Sequence, residues 1–126
     1  MQNKEHAEQV AVVQWARFSA GRFPCLRWLH AIPNGGARGD NARSAAIRGA
    51  HLKAEGLTRG ISDLFLPHAA RGYHGLYIEM KRPGALKELR PEQKEFLAYC
   101  EKAGYLAQAF DCATDAIAAI EDYCNG

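Results

Sequence analysis

The stretch from residue 60 to residue 84 constrains the fold most. "GISDLFLP" is a compact apolar run closed by Pro67, and "LYIEMKRPG" is a second run rich in the aliphatic and aromatic residues that strands favour. Only "HAARGYHG" separates them, so the two strands are expected to pair as a hairpin-like unit. Side chains alternate along a strand, which puts Glu79 and Lys81 on one face and Ile78 and Met80 on the other. An unpaired buried charge is costly. The Glu79–Lys81 face is therefore expected either to be wet or to hold something between the acid and the base.

The flanking segments supply helices and further strands. "KEHAEQVAVVQWARFS", residues 4–19, lacks Gly and Pro and sets Gln9, Val12, Val13 and Ala16 on one helical stripe, with Glu5 one turn earlier. "CLRWLHAI", residues 25–32, reads as a strand ended by Pro33, and "PNGGARGDN" as an irregular Gly-rich loop. From Asn34 or Asn41 a helix is expected through "ARSAAIRGAHLKAEG". Ala45, Ile47, Ala50 and Leu52 form its buried side, Arg43 and Lys53 face outwards, and Gly56 is the stop. Pro91 opens a helix ended by Gly104, "YLAQAF" is a strand, and "CATDAIAAIEDYC" is a final helix with Thr114 as its N-cap. The order α-β-α-β-β-α-β-α predicts an α/β fold, one mixed central sheet flanked by helices, in a single domain over residues 1–126.

With 126 residues and 48% hydrophobic composition the chain can bury one core. A net charge of +2 is too weak to indicate nucleic acid by itself. Its distribution says more, because Arg38, Arg43, Arg48, Lys53 and Arg59 are opposed only by Asp40 and Glu55. Cys25, Cys100, Cys112 and Cys124 form no C-x-x-C pair, which suits a reduced, cytoplasmic protein. The five histidines show no paired metal spacing and are expected to be packing or surface residues. No apolar run approaches the ~20 residues needed to cross a bilayer, so a soluble protein with no membrane partner is expected.

Asp63 in the strand before, with Glu79 and Lys81 in the strand after, can form an acidic cluster at one edge of the sheet. Hard divalent ions take oxygen ligands and keep several waters, so two carboxylates near a polar cleft can hold Mg²⁺ until a substrate phosphate completes its shell. Such an ion polarises a phosphodiester and lowers the pKa of a bound water, and Lys81 can orient that water. Standing alone, Glu79 and Lys81 would be no more than an exposed pair, and Asp63 a turn residue.

The longer series "AIPNGGARGDNARSAAIRGAHLKAEGLTRGISDLFLP", followed by "GLYIEMKRPGALKELRPEQKEFLAYCEKAGY", resembles the VRR-NUC domain, a branch of the PD-(D/E)XK nuclease superfamily, in its short stand-alone viral form. The resemblance covers nearly the whole chain and implies a restriction-endonuclease-like fold. It matches Asp63 and Glu79 to the metal-binding carboxylates and Lys81 to the motif lysine, and it adds the Met80 carbonyl as a metal ligand. Ser62 stands where the superfamily usually has proline. The resemblance also implies a metal-facing glutamate on the first helix. Glu5 and Glu8 compete for that role, and Glu5 is favoured because it shares the inward stripe with Gln9. Gln93 matches a glutamine near the active site. Asn34 in the Gly-rich loop, with Arg38, Arg43, Arg48 and Lys53 after it, are candidate phosphate contacts. The activity implied is a Mg²⁺- or Mn²⁺-dependent endonuclease acting as a homodimer on branched DNA such as Holliday junctions, in the host cell cytoplasm. A flap, single-strand or nonspecific nuclease and a non-catalytic DNA-binding module are the rival readings.

Overall fold

The computed structural model describes the backbone at residues 4–33 and 42–126, and side chains at 4–33, 47 and 49–126. Asn34 and Arg38 lie outside the described residues, as do the side chains of Arg43, Ala45 and Arg48.

Helix α1 runs Lys4–Ser19, and the expected stripe is its inward face: Val12 and Ala16 are fully buried and Val13 packs beside them. Arg17 donates from Nη1 to the carbonyls of Leu26 and Arg27, both at 3.2 Å, and so ties the helix to the segment that follows. That segment corrects the strand expected over residues 25–32. Pro24–Trp28 is a 3₁₀ turn with proline in its first turn, and only His30–Ala31, strand β1, joins the sheet. The cause is a period of three: Leu26 and Leu29 are both fully buried while Arg27 and Trp28 are exposed. Residues three apart eclipse in a 3₁₀ turn but point to opposite faces in a strand.

Helix α2, Ala42–Ala54, ends as expected before Gly56, which adopts φ +109°. Its expected buried side is corrected, with Ile47 and Ala50 exposed and Leu52 only half-buried, whereas Lys53 faces outwards as expected.

Strands β2, Leu64–Leu66, and β3, Leu76–Met80, pair antiparallel with Leu64 opposite Ile78 and Leu66 opposite Leu76. Their connection contains a reciprocal hydrogen-bonded pair, Ala70 with Tyr73, closed over Arg71 and Gly72 at φ +55° and +84°. Positive φ at both central residues is the turn geometry whose twist matches a hairpin. Helix α3, Pro91–Lys102, then carries the chain over the sheet to strand β4, Leu106–Phe110, which runs parallel to β3. The sheet order is β1-β2-β3-β4.

Helix α4, Ala113–Asn125, packs Ala116, Ile120 and Tyr123 with Val12 and Ala16 of α1 against Leu64, Leu66, Leu76, Ile78 and Met80. This single cluster is the core on one face of the sheet. The opposite face carries rings: Phe65 lies 4.4 Å from Tyr77, and Tyr77 meets Phe96 of α3 edge-on at 5.1 Å. His30, His68 and His74 make ring contacts with Phe65, Tyr123 and Tyr105, so they act as packing residues.

Thr114 is not the cap of α4. The helix starts from Cys112, and the acceptor comes from α1: Glu8 Oε1 takes the Ala113 N–H at 2.9 Å. All four cysteines are free thiols. Cys25 and Cys124 lie 3.6 Å apart, and burial, followed by this contact, pushes the Cys124 thiol up to about 12, so it stays protonated and a poor nucleophile.

Candidate active site

β3 delivers Glu79 to the face on which α3 packs, and Lys81 follows directly after the strand. Glu79 is 2% and Lys81 8% exposed, and Asp63, one residue before β2, is 6% exposed. These side chains are therefore nearly buried, with Glu79 on the inner strand β3 and Asp63 just ahead of the inner strand β2 rather than at an edge of the sheet. Strand alternation turns Glu79 away from the core that holds Ile78 and Met80, but it does not determine the helix that closes over it.

Two backbone-anchored contacts set the geometry. Asp63 Oδ2 accepts the Met80 N–H at 2.7 Å, a bond that locks the end of β2 to the end of β3. Gln93 Oε1 accepts the Arg90 N–H at 2.9 Å and closes the first turn of α3. With its oxygen committed, Gln93 turns Nε2 towards Glu79 Oε2, 3.4 Å away. The other oxygen of Glu79, Oε1, is buried and has no hydrogen-bond partner.

Burial pushes the Glu79 carboxyl up to about 9, aided by its hydrogen bond with Asp63 and by the charges of Asp63 and Glu5, while Lys81 opposes the shift. Negative charges gathered around the buried Glu79 carboxyl favour its neutral form, and a bound cation would reverse that balance. Together with the orphaned Oε1, this oxygen-rich donor set fits a hard divalent ion. Asp63, Glu79 and Glu5 are the residues that would hold it.

A cavity of about 190 Å³ opens here, lined by Glu5, Asp63, Glu79, Gln93 and the loop at residues 57–61, with Arg90 and Glu92 from the start of α3. Glu5 thus lines the cavity, whereas Glu8 caps α4. Lys81 is not among the lining residues, and its charge reaches the site through Glu79. The Met80 contact described is through its N–H, and its side chain is wholly in the core. Ser62, at the position usually held by proline, is fully buried with an unpartnered hydroxyl. Lys53 is absent from the lining.

Two site features escaped the sequence reading. Arg59, noted there only for its charge, lines the cavity. Gly60 has φ +92°, and a Cβ there would fall 2.5 Å from the Glu92 carbonyl oxygen, so the loop abuts the first turn of α3. The sequence signal was the glycine beside "ISD". Gly60→Ala is expected to cost about 2 kcal/mol or more in unfolding free energy, measured by denaturant titration, because strain and overlap act together.

Among the described residues, the group of three ligand-type side chains whose atoms all lie within 4.8 Å of one another is a different one, Asp111, Cys112 and Asp115. Asp111 Oδ2 already accepts the Gly84 N–H at 3.0 Å, and Asp115 is exposed, so solvation and hydrogen bonding account for the group.

A mixed sheet flanked by helices, with buried carboxylates and a lysine at the ends of its inner strands, defines a nuclease-type α/β domain. The VRR-NUC domain model matches residues 3–113, and the chain belongs to that family, which is of the PD-(D/E)XK-like nuclease type. A solved structure described as a VRR_NUC domain protein is similar at a TM-score of 0.75 and 26% identity, over 99% of this chain and 91% of that one. No curated protein matches the sequence. Nuclease domains of this kind act on DNA and generally use divalent metals. Among the described residues no helix is long and apolar enough to cross a membrane.

Proposed function

We propose that this chain is a single-domain, Mg²⁺- or Mn²⁺-dependent endodeoxyribonuclease of the cytoplasm that selects DNA by structure, cutting branched forms such as Holliday junctions as a homodimer. The observation that carries the reading is the buried Asp63–Glu79 pair with an orphaned Oε1 on the wall of a polar cavity. Family membership supports nuclease chemistry, and a two-fold dimer would set two such sites on opposing strands.

In this reading Asp63 and Glu79, with Glu5 and the Met80 carbonyl, hold the ion. Bound there, a divalent ion supplies Lewis-acid activation of the phosphodiester and of a water. Asp63 keeps its orientation at the site through the Met80 N–H. Gln93 fixes the rotamer of Glu79 through Nε2. Lys81 counterbalances the acidic pair and orients the attacking water. Asn34, Arg38, Arg43, Arg48 and Lys53 provide backbone contacts to the DNA, which position it without reading sequence.

The test is cleavage of a four-way junction, a flap and a linear duplex at matched salt, each with Mg²⁺, Mn²⁺ or EDTA. The expected result is strand cleavage that requires the metal and favours the junction at least tenfold. Equal cutting of all substrates would remove structure selectivity, and binding without metal-dependent cutting would leave a non-catalytic module.

A further inference from the structure

The cavity has acidic walls, Glu5, Asp63 and Glu79, yet a nucleic-acid substrate brings further negative charge to it. Beside a bound metal ion, a side-chain cation at the opening would lower that repulsion further. Arg59 lines the cavity while its side chain is 73% exposed, which places the guanidinium at the mouth. Its partner is Glu92 Oε1 at 3.4 Å, a longer contact than Arg22–Glu121, Arg71–Asp122 or Arg82–Glu88, at 3.2, 3.1 and 2.9 Å. An exposed, loosely matched pair of this kind contributes little stability, so a better anion can displace Glu92. Phosphate is such an anion, because the guanidinium fork matches it bidentately.

The root of Arg59 is held firmly even though its tip is not. Gly60, the next residue, abuts the Glu92 carbonyl, and Glu92 precedes Gln93, whose amide reaches Glu79. The arginine is thereby carried on the same turn that shapes the cavity and abuts α3.

Resting on the nuclease reading above, we propose that Arg59 is a substrate-phosphate clamp at the mouth of the site, held in place by Glu92 until a DNA phosphate takes over from that carboxylate. Binding exchanges one exposed ion pair for a charge-assisted phosphate contact, and it adds one neutralised phosphate to the complex.

The experiment measures junction binding by the full-length chain carrying Asp63→Asn, in Mg²⁺, from about 50 to about 300 mM salt. Adding Arg59→Ala is expected to weaken binding about five- to tenfold and to reduce the slope of log K against log salt by about 1. Arg59→Lys keeps the slope because it keeps the charge. Glu92→Gln tightens binding about two- to threefold by removing the competitor. Arg22→Ala, away from the cavity, changes neither quantity. An unchanged slope in Arg59→Ala, an equal loss in Arg22→Ala, or weaker binding in Glu92→Gln would overturn the clamp. If the Asp63→Asn parent and the wild type both fail to bind DNA, the nuclease reading itself falls and the clamp goes with it.

Discussion

Asp63→Asn is expected to lower metal-dependent DNA cleavage by at least about 10³-fold while shifting the melting temperature by only a few degrees. Asparagine keeps an oxygen that can accept the buried Met80 N–H, which Asp63 holds at 2.7 Å, so the β2–β3 junction keeps its hydrogen bond. The negative charge, which makes the residue a ligand for a hard cation, is lost. Asp63→Ala removes both, leaves a buried amide unsatisfied at about 1–3 kcal/mol, and confuses folding with chemistry. Lys81→Ala is the companion: it is expected to lose cleavage to a similar degree with the ammonium, while its main-chain bond to Phe110 at 2.8 Å is kept. Single-turnover assays beside thermal melts separate the two effects, and substantial cleavage in both variants would sink the site assignment.

The metal-free protein is expected to lose stability as pH rises from about 5 to about 9, and divalent metal is expected to reverse the loss. In the fold Glu79 keeps its proton until about pH 9, chiefly because it is buried, whereas its ordinary value is 4.5. Across that window the folded chain binds more protons than the unfolded chain, so this contribution is fully present below the unfolded value and disappears as pH climbs through the folded one. The slope is at most about 1.4 kcal/mol per pH unit for one proton. A divalent ion competes with that proton and binds the ionised pair, so the stabilisation by Mn²⁺ should grow with pH. Glu79→Gln is uncharged throughout. It should flatten the metal-free pH profile and remove most of the metal-induced rise in melting temperature. A flat wild-type profile, or equal metal stabilisation in Glu79→Gln, would contradict the buried-pair account.

How much of the site was legible follows from which interactions are local. The E-x-K spacing of Glu79 and Lys81 placed both on one face, because strand alternation depends only on the neighbouring backbone. Pro91 announced α3 in the same way, through its preset φ. Gln93 was legible only by family resemblance, since its capping role depends on which way the chain enters the helix. Glu5 and Glu8 lie one turn apart on α1, yet one lines the cavity and the other caps α4. Helical periodicity could rank them, but only the packing of α1 against α4 gives each a partner. Thr114 looked like a cap because its chemistry suits one, and a glutamate from another helix holds that position instead. The missed 3₁₀ turn over Pro24–Trp28 was a wrong period in an apolar run too short to arbitrate.

By itself the sequence determined the long helix α1, the β2–β3 hairpin, the helical return to β4, and the strand that pairs Glu79 with Lys81. Each rests on turn chemistry or side-chain period, which act over a few residues. The tertiary structure alone decided that Gln93 of α3 closes over Glu79, that burial raises the Glu79 carboxyl, and that Arg59 lines the cavity on a turn made possible by Gly60. Burial and electrostatics depend on what other parts of the chain bring within a few ångströms, and that distance is set only when the sheet and its helices close together.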